Sequence, residues 1–197
     1  MAGGRQREFD KTDALDKAMR VFWKKGYVGA SLTDLTEGMG INKPSMYATF
    51  GNKEQLFIQS TDYYIEHYSK VHAHNLSEDK PLKERVKNFL LSIIKTQSCP
   101  DNPKGCYVSL CISEAEGNQF PVDAAKVVKQ IRDSLETSLT GFFKQAIANK
   151  ELTKAAKPEA LASYFTALVH GTAAMARGGK TEKQLSDIVE TAVGLLD

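Results

Sequence analysis

Lys43, Pro44, Ser45, Tyr47, Thr49 and Lys53 crowd into one short stretch, GMGINKPSMYATFGNKEQLF, residues 38–57. Lysine and tyrosine reach phosphates, serine and threonine hydroxyls serve a phosphate or a base edge, and small neighbours allow close approach. The helix that would carry them is barely two turns long, with Pro44 in its first turn. A helix so short is marginal alone, so packing from one side must hold it. Leu32, Leu35, Ile41, Met46 and Phe50 are the candidates, which leaves Lys43, Pro44, Ser45, Tyr47, Ala48 and Thr49 facing out. The positive end of the helix dipole lies at Lys43 and favours an anion. This geometry suits a nucleic-acid major groove. An ordinary surface turn between core helices has the same spacing.

Two other groups invite chemistry. Glu66, His67, His72 and His74 lie close together, and His67 and His74 can share a helix face, but no fourth metal ligand accompanies them. Cys106 follows Lys104 and Gly105 at an expected helix start, a setting that favours a reactive thiolate, and Cys99 lies across the intervening loop. The pair is a candidate thiol sensor; a buried small apolar residue is the commoner role for such a cysteine as Cys106, and Cys111 reads as core. No Gly-rich phosphate loop and no G-x-S-x-G elbow is present, so no enzyme chemistry can be named. No cofactor and no metal is expected.

The elements that position these residues all read as helices. Ala14, Leu15, Ala18, Met19, Phe22 and Trp23 recur at three- and four-residue spacing, and Gly26 can close that helix. Ser31 and Asp34 form a capping-box pattern. Gly38 and Gly40 end the short helix it opens, and Asn42 caps the next. Asn52 with Gln55 starts a fourth, to about His74. Pro81, Pro121 and Pro158 open later helices, where their fixed φ suits the first turn. A shorter helix spans about Cys106 to Glu116, and Thr181 with Gln184 caps the last. About nine helices and no strand result: an all-α chain.

The totals agree. The 197 residues are 42% hydrophobic and 25% charged, a composition of folded globular proteins. No apolar run is long enough to span a membrane, and the polar N-terminus is not a secretory signal. Three cysteines, an odd number, suit a reducing cytoplasm. Residues 1–53 carry nine Lys/Arg against six Asp/Glu, whereas the rest carries seventeen against eighteen. The basic excess lies at the end that holds the short helix, as a polyanion partner would require.

Residues 10–57 resemble the DNA-binding signature of the TetR family of bacterial repressors. That pattern is a capped helix, a small-Gly-apolar turn, a helix reading x-x-L-Y-x-H-F, and then x-x-K-E-x-L-F. Gly40, Tyr47, Phe50, Lys53, Glu54, Leu56 and Phe57 match; Met46 stands where Leu is usual and Thr49 where His is. The remainder agrees in helix number and length. The resemblance implies that Tyr47 and Lys53 bind phosphate and that Lys43, Pro44, Ser45 and Thr49 face bases. Ser31 and Thr33 would offer a hydroxyl or N–H to the flanking strand, and Arg5 and Arg7 would form a minor-groove arm. It implies a DNA-binding domain at residues 1–50 and an effector-binding and dimerisation domain at 51–197. The partners would be a double-stranded operator, a small-molecule effector and a second copy of the chain. Small residues Ala167, Gly171 and Ala174, with Val189 and Val193 of the last helix, are the candidate dimer interface. The alternative is a small-molecule-binding helical protein or enzyme whose helix-turn-helix is only scaffold.

Overall fold

The structure is a computed structural model that describes residues 9–196. Arg5 and Arg7 lie outside the described residues. Helix α1 (Lys11–Gly29) starts where the Asp10 carboxylate accepts the Asp13 N–H at 2.8 Å. Its stripe of Ala14, Ala18, Met19, Phe22 and Trp23 is fully buried. Gly26 leaves the helical path, with φ 74° and ψ 176°, and the chain then resumes a last turn to Gly29. That combination is essentially restricted to glycine.

Helices α2 (Leu32–Met39) and α3 (Lys43–Phe50) follow, then α4 (Lys53–Tyr64), each opened by its expected cap. Beyond Tyr64 the path widens through a π turn, Ile65–Ser69, into α5 (Lys70–Ala73). The one long helix expected here is therefore interrupted by a looser turn midway. Then come α6 (Leu82–Ser98), α7 (Tyr107–Ala115), α8 (Val122–Ala148), α9 (Pro158–Arg177) and α10 (Glu182–Val193). Among the described residues there is no strand, and counting α4 and α5 as one path leaves nine helices. None of them is long and apolar enough to cross a membrane.

Two apolar cores hold these helices. The first joins α1 to α4 with α7 and the start of α8, through an aromatic cluster in which Phe22 meets Phe57 edge-on at 5.3 Å and Tyr27 meets Phe57 at 5.1 Å. Packing therefore does not break at residue 50: Leu56 and Phe57 share this core with Phe22, Leu35 and Met46, and so do Tyr107, Phe120 and Val128. The second core joins α6, the later part of α8, α9 and α10.

The second core corrects part of the expected dimer interface. Val189 and Val193 are 0% and 1% exposed, packed with Leu185 among the chain's own apolar residues. The three lie four residues apart and form one face, which this core takes up. They are not available to a partner. Ala167, Gly171 and Ala174 on α9 are exposed. The histidines are also placed differently from a ligand set: His67 and His74 face solvent while His72 is buried. No group of three or more metal-ligating residues forms among the described residues.

Candidate nucleic-acid interface

The turn between α2 and α3 depends on Gly40, which takes the left-handed conformation at φ 70° and ψ 28°. Its N–H and that of Ile41 satisfy the last carbonyls of α2. The chain then enters α3 through Asn42, whose side-chain oxygen accepts the Ser45 N–H at 2.8 Å. Met46 and Phe50 are 0% and 2% exposed. Burying each stabilises by about 1.5–3 kcal/mol, which holds a helix that would melt in isolation. The opposite side presents Lys43, Pro44, Tyr47 and Ala48 to solvent, with Ser45 and Thr49 half-buried at its flanks. The exposed polar groups, the helix N-terminus and the small Ala48 thus occupy one face, as the sequence pattern requires.

Two of the predicted contact residues, Ser31 and Lys53, are engaged within the chain. The Ser31 hydroxyl accepts the Asp34 N–H and donates to the Asp34 carboxylate, which also accepts the Ser31 N–H. Both Ser31 donors bond the Asp34 carboxylate in the cap, and Ser31 and Thr33 both stand exposed beside α3. Lys25 binds the same carboxylate at 2.6 Å, and together with Ser31 it holds Asp34 down at about 2. Lys53 lies back over the Tyr27 ring, its Nζ 4.4 Å from the ring centre. Burial lowers its pKa, while the carboxylates of Glu114 and Asp34 work against that shift. To reach a phosphate, Lys53 must swing off the ring.

Glu114 is the residue that sequence reasoning missed. The bend at Gly26 frees the Tyr27 N–H from its helical partner, and Glu114 of α7 accepts it at 2.7 Å. Arg20 of α1 similarly joins Asp16, Tyr68 and the Asp101 carbonyl, and Arg177 of α9 reaches the Trp23 carbonyl. Long-range polar contacts like these leave no periodic trace in a sequence.

A cavity of about 310 Å³ lies between α4, α5, α6, α7, α8 and α9. Tyr64 and Phe89 are the aromatic residues on its wall, and His72, Gln97, Cys106 and His170 contribute polar groups. Gln97 had a visible signal, a polar residue on the same face of α6 as Leu90 and Ile94. Cys106 is half-buried, with Sγ 3.5 Å from the Tyr64 hydroxyl. Lys104 donates to the Ser98 carbonyl instead of the thiol. Cys99, Cys106 and Cys111 are all free, and burial pushes the Cys111 thiol well up.

A capped helix, a left-handed glycine turn and a short outward-facing helix define a helix-turn-helix regulator. Residues 14–59 match the family model for bacterial regulatory proteins of the tetR family, and residues 83–192 match that for the tetracyclin repressor-like C-terminal domain. The HTH-type transcriptional repressor ComR of Escherichia coli (strain K12) is 31% identical over 194 residues, covering 98% of this chain and 91% of that protein. The HTH-type transcriptional repressor BdcR of the same strain is 27% identical over 92% of this chain and 86% of its own length. A cysteine mutant of the TetR family transcriptional regulator CifR, complexed with 26-bp double-strand operator DNA, superposes with a TM-score of 0.89 at 29% identity, over 96% of this chain and 98% of that one. The chain belongs to the TetR family of bacterial transcriptional regulators.

Proposed function

We propose that the protein represses transcription by gripping an operator as a homodimer, with α3 of each protomer in a major groove, and lets go when a small molecule fills the cavity. The observation that carries this is the division of α3: Met46 and Phe50 are sunk in the core, while Lys43, Pro44 and Tyr47 stand exposed at and beside its positive end. Lys43, Pro44, Ser45 and Thr49 read the groove, Tyr47 and Lys53 hold phosphates, and Thr33 contacts the flanking strand. A dimer follows from the demand of two half-sites about 34–36 Å apart. The exposed Ala160, Tyr164, Ala167, Gly171 and Ala174 form a small-residue stripe on α9 that suits close helix approach.

The test is selection of bound fragments from the source genome, followed by titration of the selected duplex and a random duplex across salt. A selected site bound far more tightly than random DNA, with affinity falling steeply as salt rises, is expected. Equal weak binding of both duplexes would instead leave the helix-turn-helix as scaffold.

We also propose that Cys106 gives the repressor an oxidant response, because its half-buried thiol is part of the cavity wall. Peroxide would oxidise the thiol to a sulfenic acid, one peroxide oxygen passing to sulfur and the other leaving as water with the thiol proton. Mild peroxide should then weaken operator binding by the parent, whereas Cys106→Ser should bind and ignore it. Equal responses from both proteins would remove Cys106, and a response lost only with Cys99→Ser would move the role to Cys99.

A further inference from the structure

The cavity has an unusual polar inventory. Among the described residues, none on its wall is a carboxylate. Its two cations are paired: Lys70 with Glu66, and Arg132 with Glu116 and Asp133. The other polar groups are neutral, and the most deeply buried of them, Gln97, offers an acceptor. Gln97 is 2% exposed, and its Nε2 donates to the Val169 carbonyl at 3.1 Å, which fixes the amide so that Oε1 is left as an acceptor. That oxygen is buried with no hydrogen-bond partner, an arrangement that folding tolerates only at a cost.

His72 has the same character. The Ser92 hydroxyl gives its one hydrogen to the Phe89 carbonyl at 2.8 Å, so its oxygen must accept from His72 Nδ1 at 2.9 Å. The proton therefore sits on Nδ1, and Nε2 keeps its lone pair. Burial lowers the pKa of His72 to about 4 and that of His170 as well, so both rings are neutral near pH 7. The rest of the wall is mainly aliphatic, with Ile65, Ile93, Ile131, Leu135 and Leu139. At 310 Å³ the space is at the small end of ligand pockets, which run from about 300 to 1,000 Å³.

From the unpartnered Gln97 oxygen, the Nδ1–H form of His72 and the paired cations, we infer that the cavity takes a compact, uncharged, largely apolar molecule carrying a hydroxyl or N–H donor. An ion would lose its hydration and meet no free opposite charge. A fully apolar molecule would leave the acceptors as costly as before. This inference rests on the effector role of the cavity and adds the chemical class that the cavity accepts.

Calorimetric titration of the full-length protein with four probes of one shape tests it. These are para-tert-butylphenol, its methyl ether, para-tert-butylbenzoate and para-tert-butylbenzylammonium. The phenol should bind, the ether at least about tenfold more weakly, and the two ions without measurable heat; tenfold corresponds to about 1.4 kcal/mol. Gln97→Leu should narrow the gap between phenol and ether. Leu135→Trp should fill the space and abolish binding of all four, so the inference stays testable if the Gln97 variant fails to fold, as circular dichroism would reveal. Either ion binding as tightly as the phenol, an ether equal to the phenol, or no binding by any probe would overturn the inference. Loss of all probe binding beside intact operator binding would leave the repressor standing. Phenol binding that never lowers operator affinity would uphold the ligand class and defeat the effector role.

Discussion

The proposed docking divides single side chains on α3 and at the head of α4 into groove readers and phosphate holders, and the two roles have different signatures. With Lys43, Ser45 and Thr49 facing the groove as proposed, Ala substitution should penalise the selected site by roughly 1–3 kcal/mol for each good base contact, with little effect on random DNA. Tyr47→Phe and Lys53→Ala should weaken both duplexes about equally, and loss of Lys53 should reduce the log-log salt slope by about one. Because Lys53 rests on Tyr27 at 4.4 Å, its removal should also lower stability slightly, by roughly 0.5–1 kcal/mol. Anisotropy titrations across salt and thermal melts separate these effects. His72 supplies a pH prediction. Its folded pKa of about 4 lies below the ordinary 6.5, so the unfolded chain takes up the proton first as pH falls. Stability should therefore be full above 6.5 and decline between 6.5 and 4, by at most about 3 kcal/mol from this group. His170 acts in the same direction. Melting temperatures from pH 7 to 4 should show the decline, and His72→Gln should make it shallower; an unchanged slope would remove His72 as the cause.

At the scale of elements, the contact between α1 and α7 is the one to test. Glu114 caps the turn of α1 that resumes after Gly26 and leads into the helix-turn-helix, and the same α7 begins beside Cys106 and Val108 on the cavity wall. A shift of α7 therefore bears directly on the approach to α2. Glu114→Ala leaves the Tyr27 N–H without its acceptor and should cost about 1–3 kcal/mol; Glu114→Gln keeps an acceptor and should cost less. Gly26→Ala should be worse than either. Its backbone conformation alone costs about 1–3 kcal/mol for a residue with a side chain, and the added methyl would lie 2.1 Å from the Glu114 carboxylate. Urea unfolding measures all three, and operator affinity measured beside it shows whether the contact also orients α3. Identical stabilities for the parent and Glu114→Ala would refute the capping role.

For the whole molecule the question is assembly. The exposed Ala160, Tyr164, Ala167, Gly171 and Ala174 lie along one side of α9, whereas the exposed positions of α10 include Lys183, Gln184, Asp187 and Glu190. The partner should therefore meet α9 and not the valines of α10. Light scattering at micromolar concentration should give twice 21.7 kDa. Ala167→Glu places a charge in the stripe and should shift the mass toward 21.7 kDa while lowering operator affinity at least tenfold, because one half-site contact is lost. Unchanged helical content by circular dichroism would locate the defect in association. A dimeric Ala167→Glu protein would remove this stripe from the interface.

Local chemistry made most of the helices legible. Caps at Ser31, Asn42, Asn52 and Thr181 act within three residues, and prolines at 81, 121 and 158 act on the next turn, so the elements they open could be read from neighbours in the chain. The recognition helix was legible for the same reason: its buried Met46 and Phe50 and its exposed Lys43 and Tyr47 alternate with the helical period. What the sequence left open depends on residues far apart in it. Periodicity marks Val189 and Val193 as an apolar face but cannot say whether that face meets α6 of the same chain or a second copy. The commitment of Ser31 to Asp34 was implicit in the capping box, yet Lys25 completing it, Lys53 turning onto Tyr27 and Glu114 reaching the Tyr27 N–H all required the tertiary fold. So did the cavity: His72, Gln97 and His170 converge because three helices cross there, and the acceptors on His72 and Gln97 are left only once Ser92 and Val169 have taken their donors.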